Sequence, residues 1–264
     1  PDQPLMISSL IYELRLSRIS SDGFIDRASS KLSSFHFTTA YTAAKSSVRV
    51  NVFSGKEKTY QAWYGVSEAD LKSGNRTVNY AGTEKPGEPY ENETDNYTQT
   101  HYQFFFSQLL NKKISFNTAL FLTKGKGYYE QYKAEEEYAR YGMPDPPSTG
   151  LPITTSDMIR QLWLDNDFYG TIFSFQYKQD KTQATLGGGY TRHDGNHFGK
   201  VIWAANGLTS IKNWYDLDAL KTDFTIYLKQ QTQLAGNWNL FYDLQFRRVN
   251  YTMDGFRENP TLYV

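Results

Sequence analysis

The chain has 264 residues, balances 28 Lys and Arg against 28 Asp and Glu, and contains 4 His and no Cys. This balance excludes the basic excess that a nucleic-acid-binding protein would show, and the lack of cysteine excludes a disulfide framework and a thiolate metal site. Aromatic residues make up 16% of a chain whose mean hydropathy is -0.63. That composition is typical of a β-barrel with aromatic girdles and a polar lumen, although a tyrosine-rich soluble β-protein shares it.

Apolar and polar residues alternate with a period of two in nine segments, and this pattern predicts nine strands. Near the end of the chain, for example, Leu244 and Phe246 flank Gln245. Strands of about 9 to 15 residues suit a tilted membrane crossing, whereas strands of soluble proteins have about 5 or 6 residues. The predicted strands are 7–19, 30–41, 46–55, 98–109, 113–123, 160–178, 181–192, 218–231 and 237–250.

The connections between these strands alternate between short and long. Short turns are predicted at 42–45, 110–112, 179–181 and 234–237, and long loops at 20–29, 56–97, 124–159 and 193–217. Tight periplasmic turns and extended extracellular loops give this alternation in bacterial outer-membrane barrels. Loops of this length are unusual within a compact soluble domain, so the spacing favours an antiparallel, up-and-down transmembrane β-barrel.

One segment inside a long loop is predicted to be helical. Residues 129–141 are rich in helix-forming Glu, Ala and Lys, and Glu135–Glu137 precede Arg140, a charge order that supports a helix. Three prolines follow at 144, 146 and 147 and would end it. We therefore expect a short helix within an extracellular loop.

Four segments resemble TonB-dependent receptors of the Bacteroidetes type, and they occur in the family's order. They are 13–27 (ELRLSRISSDGFIDR), 51–65 (NVFSGKEKTYQAWYG), 127–132 (GYYEQY) and 188–197 (GGYTRHDGNH). The resemblance implies a 22-stranded barrel in the bacterial outer membrane, with a plug domain filling its lumen. It also implies the partners, namely outer-membrane lipid, the protein's own plug domain, the TonB complex and a small-molecule nutrient, and it implies no cofactor.

The sequence departs from the family pattern in three respects. It shows no plug-like N-terminal domain or TonB box, it has about nine strands instead of 22, and it ends at Tyr263 and Val264 in what resembles an extracellular loop. A signal peptide is also not visible after Pro1. We therefore expect residues 1–264 to be part of one β-barrel domain, an internal and incomplete barrel segment with two open edges.

Aromatic residues in the predicted loops are the candidate ligand-binding groups, because amphipathic rings can stack on a sugar, a siderophore or a macrocycle. An interfacial aromatic girdle, or packing between loops, would explain the same residues. The candidates are Tyr60, Trp63, Tyr64, Tyr128, Tyr129, Tyr132, Trp203, Trp214, His193 and His197.

A metal or iron-chelate contact is a further hypothesis for one predicted loop. His193, Asp194 and His197 lie within five residues, and imidazole with carboxylate can bind a transition metal. A polar loop tip without a ligand is the alternative, since Gly195 and Asn196 disfavour a helix that would place both imidazoles on one side.

The sequence thus predicts an outer-membrane receptor barrel for TonB-dependent uptake of a scarce nutrient such as an iron chelate. No nucleophile elbow, zinc-protease motif, P-loop or dinucleotide-binding motif is present, so an enzyme is not expected. The triplet Gly187–Gly189 lies within a predicted strand and indicates close approach of the plug or a loop. A soluble β-rich carbohydrate-binding module, a passive porin and an outer-membrane enzyme remain the alternatives.

Overall fold

A computed structural model describes residues 8–258. Its helical segments are α1, Glu68–Lys72, and a single 3-10 turn, Tyr138–Tyr141. Within the described range, neither has the length and apolar character of a membrane-crossing helix. The strands are β1 Ser9–Ser21, β2 Ser30–Thr42, β3 Ser46–Tyr60, β4 Thr94–Leu109, β5 Ile114–Glu137, β6 Thr155–Gln179, β7 Thr182–Ala204, β8 Tyr215–Gln233 and β9 Asn239–Arg257.

All nine strands form one sheet in the order of the sequence, and each pairs antiparallel with the next. The predicted strand count and up-and-down topology are therefore confirmed, and a two-sheet sandwich is ruled out for residues 8–258. Within that range β1 and β9 are the outermost strands. The predicted start of the first strand at Ile7 and the predicted terminal loop at Tyr263 and Val264 lie outside the described residues.

The sheet has two chemically different faces, because residues that pair across an antiparallel ladder point to the same side. In the strand halves next to the short turns, one face is apolar; we call it the apolar face. It carries Leu14, Phe37, Val50, Phe104, Leu120, Phe175, Leu186, Ile226, Leu228, Leu244 and Phe246. The opposite, polar face carries Arg15, His36, Asn51, Gln103, Asn117, Ser174, Thr185, Asp223, Thr225, Gln245 and Arg247.

Polar side chains on the polar face bond to one another across the strands. Thr38 Oγ1 donates to Asn51 Oδ1 at 2.7 Å, and Asn51 Nδ2 donates to Gln103 Oε1 at 3.1 Å. Arg247 forms an ion pair with Asp223. The apolar face instead presents its side chains bare, with Leu14 63%, Leu120 50% and Leu244 62% exposed. Such a face needs an apolar surrounding.

The strands extend further from the short turns than the alternation pattern predicts. β5 continues to Glu137, β6 begins at Thr155 and β7 continues to Ala204, so about half of the predicted loop 124–159 and about half of the predicted loop 193–217 are strand. Gly195 and Asn196, in β7, each pair with a residue of β6 on one side and of β8 on the other. Pairing on both sides thus outweighs the weak strand preference of these two residues.

The predicted helix at 129–141 is wrong except for its last turn. Tyr129 pairs with Leu162 and Tyr132 with Ile159, so this segment is strand. Cross-strand packing of its tyrosines outweighs the local helix preference. A bulge follows, where Glu135 has a positive φ of 51° and its N–H donates to Asp157 Oδ1 at 2.9 Å. Only Tyr138–Tyr141 are helical.

The buried core lies at the long-loop end, on the polar face of β5–β7. Here the loop between β5 and β6 and the loop between β7 and β8 fold onto the sheet and bury their aromatic residues. We call this group the loop core; it consists of Tyr138, Tyr141, Met143, Met158, Leu162, Val201, Ala204, Trp214 and Tyr215.

Candidate ligand-binding surface at the long-loop end

The loop between β3 and β4, residues 61–93, is tied down by Arg27 from the loop between β1 and β2. Arg27 Nη2 donates to the carbonyl oxygens of Asn79 at 2.5 Å and Ala81 at 3.1 Å, and its Nε donates to Tyr60 Oη at 3.3 Å. The Tyr60 hydroxyl in turn donates to the carbonyl of Tyr90 at 2.7 Å. Tyr60 is only 4% exposed, so it anchors the loop and does not reach a ligand at its surface.

The same loop covers the part of β5 that extends beyond β4. Gln61 Nε2 donates to the carbonyl of Glu130 at 3.4 Å, and Glu93 Oε2 accepts the N–H of Tyr132 at 3.1 Å. Side chains thus replace the missing strand and satisfy backbone groups of a bare edge. Burial raises the pKa of Glu93 to about 7.

Glu130 is the centre of a compact hydrogen-bond network beside this edge. Its Oε1 accepts from Tyr90 Oη at 2.6 Å and from Asn92 Nδ2 at 2.5 Å, and its Oε2 accepts from Gln161 Nε2 at 2.6 Å. Burial, followed by the bond to Glu130, raises the pKa of Tyr90. Every partner is a donor to one carboxylate, so the network holds the loop and does not offer a free charge to a ligand.

The loop core packs on a glycine of β7. An added Cβ on Gly199 would lie 2.3 Å from Tyr215 Cε1 and 2.4 Å from Trp214 Cε2. Trp214 is 1% exposed and therefore belongs to the core and not to the ligand surface. Arg160 supports this layer, because its Nη2 donates to Gln131 Oε1 at 2.8 Å and its Nη1 donates to Tyr141 Oη at 3.3 Å.

The other aromatic candidates differ in their accessibility. Trp63, Tyr64 and Trp203 are exposed at 55%, 47% and 43%, whereas Tyr132 is buried and its hydroxyl donates to Asp157 Oδ2 at 2.5 Å. Tyr128 packs against Trp163 on the continuation of the apolar face, with ring centroids 4.4 Å apart. The candidates are therefore spread over both faces of the sheet and do not form one cluster.

Strand geometry separates the three residues of the predicted metal site. His193 and Asp194 are consecutive in β7 and so point to opposite faces. The carboxylate of Asp194 is occupied by Arg192, whose Nε lies 2.9 Å from its Oδ2. Among residues 8–258 no group of three or more acidic or histidine side chains is placed to hold a metal ion. The metal site predicted from His193, Asp194 and His197 is thus not formed.

The polar face holds a small recess directly beneath the loop core, and we call it the tyrosine recess. It has a volume of about 290 Å³. On the polar face its lining consists of Glu57, Asp95, Tyr97, Gly127, Tyr129, Leu162, Leu164, His197 and Tyr215. Trp63 stands over its edge, in T-shaped contact with Tyr129 at 5.7 Å between ring centroids.

Sequence reasoning found Trp63, Tyr129 and His197 in this region but missed Glu57, Asp95, Tyr97 and Tyr215. The alternation of β3 and β4 does place both carboxylates on the polar side of their strands. It does not show that β5 and β8 bring two tyrosines to the same level, because that depends on the register of four strands.

Comparison with known proteins shows which architecture this sheet belongs to. No protein-family model matches the sequence, and no curated protein matches it. Solved structures do match. They include the ferric-catecholate import receptor Fiu from E. coli K12 in its open form (TM-score 0.59, 11% identity) and the ferric citrate transporter FecA in its unliganded form (TM-score 0.60, 10% identity). The sheet therefore has the fold of part of the β-barrels of these proteins.

The ferric preacinetobactin receptor BauA from Acinetobacter baumannii also matches, with a TM-score of 0.54 and 12% identity. The chain is covered over 92% of its length by BauA, 93% by Fiu and 95% by FecA. It spans only 37%, 41% and 36% of those proteins. At this identity the likeness shows the fold, and the predicted all-β, up-and-down barrel segment is confirmed.

Proposed function

We propose that this chain forms part of the wall of an outer-membrane receptor that takes up a scarce nutrient, in the first instance an iron chelate, in a TonB-dependent manner. The observation that carries the proposal is the bare apolar face of the nine-stranded sheet, which lies opposite a hydrogen-bonded polar face. Lipid outside and a wet lumen inside require this division. The three receptors of the same fold handle ferric chelates, which supports this nutrient class.

The orientation follows from the connections. The short turns at 43–45, 110–113, 180–181 and 234–238 face the periplasm, and the four long loops face the outside. The apolar face contacts outer-membrane lipid beside the short turns. The polar face lines the lumen and meets a plug domain in the complete receptor. The Tyr227 side chain lies over Gly187, where an added Cβ would be 2.5 Å from its Oη, so this glycine accommodates a neighbouring strand's tyrosine.

Ligand capture would occur on the lumen side of the long-loop end and would involve no covalent chemistry. The earlier candidates on this side include Trp63 at the edge of the tyrosine recess, and Tyr129 and His197 in its lining. His193 lies on the same face of β7. Tight binding followed by energy-dependent release, and not catalysis, is the expected activity.

A transport assay tests the proposal. The gene is deleted from its native bacterium, and uptake of radioactive iron from a panel of chelates is measured in iron-starved cells, with and without a protonophore. We expect one chelate to lose saturable uptake on deletion and in the presence of the protonophore, and the protein to fractionate with the outer membrane. Uptake that depends on the gene but is unaffected by the protonophore would indicate a passive porin. Recovery of the protein in the soluble fraction would contradict a membrane receptor.

A further inference from the structure

Four exposed cations lie close together on β1–β3, on the side of the sheet that carries the apolar face. Lys31 of β2 is paired directly with Lys58 of β3, and Ser33 of β2 has Arg18 of β1 and Lys56 of β3 as its two partners. Paired residues, and residues two apart in one strand, point to the same side. We call this group the basic patch; it consists of Arg18, Lys31, Lys56 and Lys58.

The basic patch begins where the apolar face ends. Leu16 of β1 is paired with Phe35 of β2, and these are the last large apolar side chains on this side of the two strands before the long loop. Arg18 and Lys56 follow one row later, and the other two lysines one row after that. A row of two residues spans about 6.6 Å along a strand, or about 5 Å in height at a tilt of about 45°. The patch therefore starts at the level of the lipid head groups, which extend about 5–7 Å beyond the hydrocarbon core.

The positive charges of the basic patch are not neutralised by the sheet. On this side β1–β4 carry no Asp or Glu, because the acidic residues of these strands point to the polar face. None of the ion pairs among residues 8–258 includes a member of the patch. Lys58 Nζ donates only to the neutral Asn92 Oδ1, at 2.6 Å. Like charges paired directly across two strands destabilise a sheet, so an anion here would relieve the repulsion between Lys31 and Lys58.

Cations at the same height on β5 do have carboxylate partners. Lys124 pairs with Asp167 and Lys126 with Asp165, each at 2.6 Å between nitrogen and oxygen. Lys126 stands in the same row as Lys56, two strands away. β2 and β3 are paired with a strand on both sides, so no further strand of a larger barrel can bring a carboxylate next to the three lysines. The basic patch thus lacks the partner that its neighbours have.

We propose that the basic patch binds a phosphate of the phosphorylated glycolipid in the outer leaflet of a bacterial outer membrane. Clusters of Lys and Arg beside a membrane surface attract anionic lipid head groups. The three ammonium groups supply point charges, and the guanidinium of Arg18 has the geometry to bind two phosphate oxygens at once. The acyl chains of the same lipid would lie on the adjoining apolar face. This assignment goes beyond nutrient uptake but rests on the proposed orientation, because the patch meets the outer leaflet only if the long loops face outside.

Two lipids that differ only in phosphate test the recognition. The complete receptor is purified in a neutral detergent, labelled with a fluorophore and titrated with lipid A or with fully dephosphorylated lipid A, and binding is followed by thermophoresis. We expect lipid A to bind at least tenfold more tightly. Inorganic phosphate at about 10 mM should not displace it, because the free ion has no acyl chains to contact the apolar face. Equal affinity for the two lipids, or displacement by inorganic phosphate, overturns the inference.

Variants then locate the site and separate lost binding from lost folding. Lys31→Glu places a carboxylate opposite Lys58, so it should leave thermal stability unchanged or raised. One charge at a membrane surface is worth about fivefold in affinity and a reversal counts twice, so lipid A binding should fall roughly 25-fold. Lys56→Gln should weaken it about fivefold. Lys112→Glu, in an exposed short turn, makes the same change in net charge as Lys31→Glu and is the matched control. Unaltered lipid A affinity in Lys31→Glu, or an equal loss in Lys112→Glu, overturns the assignment to the basic patch.

The two proposals fail in different ways. If deletion of the gene abolishes energy-dependent chelate uptake but lipid A binds no better than its dephosphorylated form, the receptor function stands and the lipid assignment is overturned. If lipid A binding depends on phosphate and on Lys31 but no chelate depends on the gene, the lipid assignment stands and the iron-uptake function is overturned.

Discussion

Gly199 is a position where a single added methyl group should have a large local effect. The added Cβ would meet three ring atoms at 2.3 to 2.5 Å, namely Tyr215 Cε1 and the Cε2 and Nε1 atoms of Trp214. Carbon atoms in favourable contact are about 3.5 to 4.0 Å apart, so the rings would have to move by roughly 1 Å or more. Both side chains are buried within the loop core and have little room to do so.

We therefore expect Gly199→Ala to destabilise the loop core by about 1–3 kcal/mol, which is the usual cost of forcing extra volume into a packed interior. The perturbation is local, because the loop core lies at the long-loop end and the strand halves beside the short turns do not depend on it. Local opening should increase by roughly 5- to 150-fold, since about 1.4 kcal/mol corresponds to a factor of ten.

Tryptic cleavage at Lys212 measures this opening, because Lys212 lies in loop 205–214, two residues before the buried Trp214. Gly55→Ala is the matched control. Gly55 is also a strand glycine on the polar face, but an added Cβ there would have no atom within 4 Å. If Gly199→Ala and Gly55→Ala are cleaved at the same rate, the packing argument for the loop core is refuted.

Three further predictions concern the loop anchor, the buried carboxylate and the two faces. Tyr60→Phe should weaken the attachment of loop 61–93 by about 1–3 kcal/mol, because it removes the donor to the Tyr90 carbonyl and the acceptor of the Arg27 Nε–H. Faster proteolysis within the loop would show this. The pKa of Glu93 is about 7 in the folded protein, against 4.5 for the free side chain. The protonated carboxyl therefore stabilises the folded loop by roughly 3 kcal/mol below pH 4.5, and this contribution is lost as the pH rises through 7. Protection of the loop should fall between about pH 5 and pH 8 in the natural protein and stay nearly level in Glu93→Gln. Ile226→Arg, on the apolar face, should cost about 2–4 kcal/mol and reduce assembly into the membrane, whereas the adjacent Thr225→Arg, on the polar face, should be nearly neutral; equal yields of the two in the outer membrane would contradict the assignment of the faces.

The strand alternation was sufficient to predict the number of strands and their topology. Apolar side chains in every second position, as at Leu244 and Phe246, are a direct requirement of a sheet with lipid on one side and water on the other. Short and long connections alternate for an equally local reason, since a tight turn needs few residues. These features depend on neighbours in the chain and are therefore visible without a structure.

The strand ends next to the long loops could not be predicted in this way. Beyond the apolar face, both sides of β5 and β7 meet polar or aromatic surroundings. The sequence around His193 and Tyr132 therefore lacks the alternation that marks a strand. The helix-forming composition of 129–141 then pointed to the wrong structure. Pairing with β6, which lies at a distance in the sequence, decided the outcome.

The sequence by itself thus determined the part of the molecule that a simple solvent boundary dictates: nine alternating strands, one apolar face and the positions of the turns. Only the tertiary structure decided which loop aromatics are buried, that His193 and Asp194 point apart, and that Glu57, Asp95 and Tyr215 share one recess. For His193 and Asp194 and for the buried aromatics, the physical reason is pairing and packing with distant segments, and for the recess it is register. A shift of one residue between strands would move each of these side chains to the other face, and register is a property of paired strands that no single segment contains.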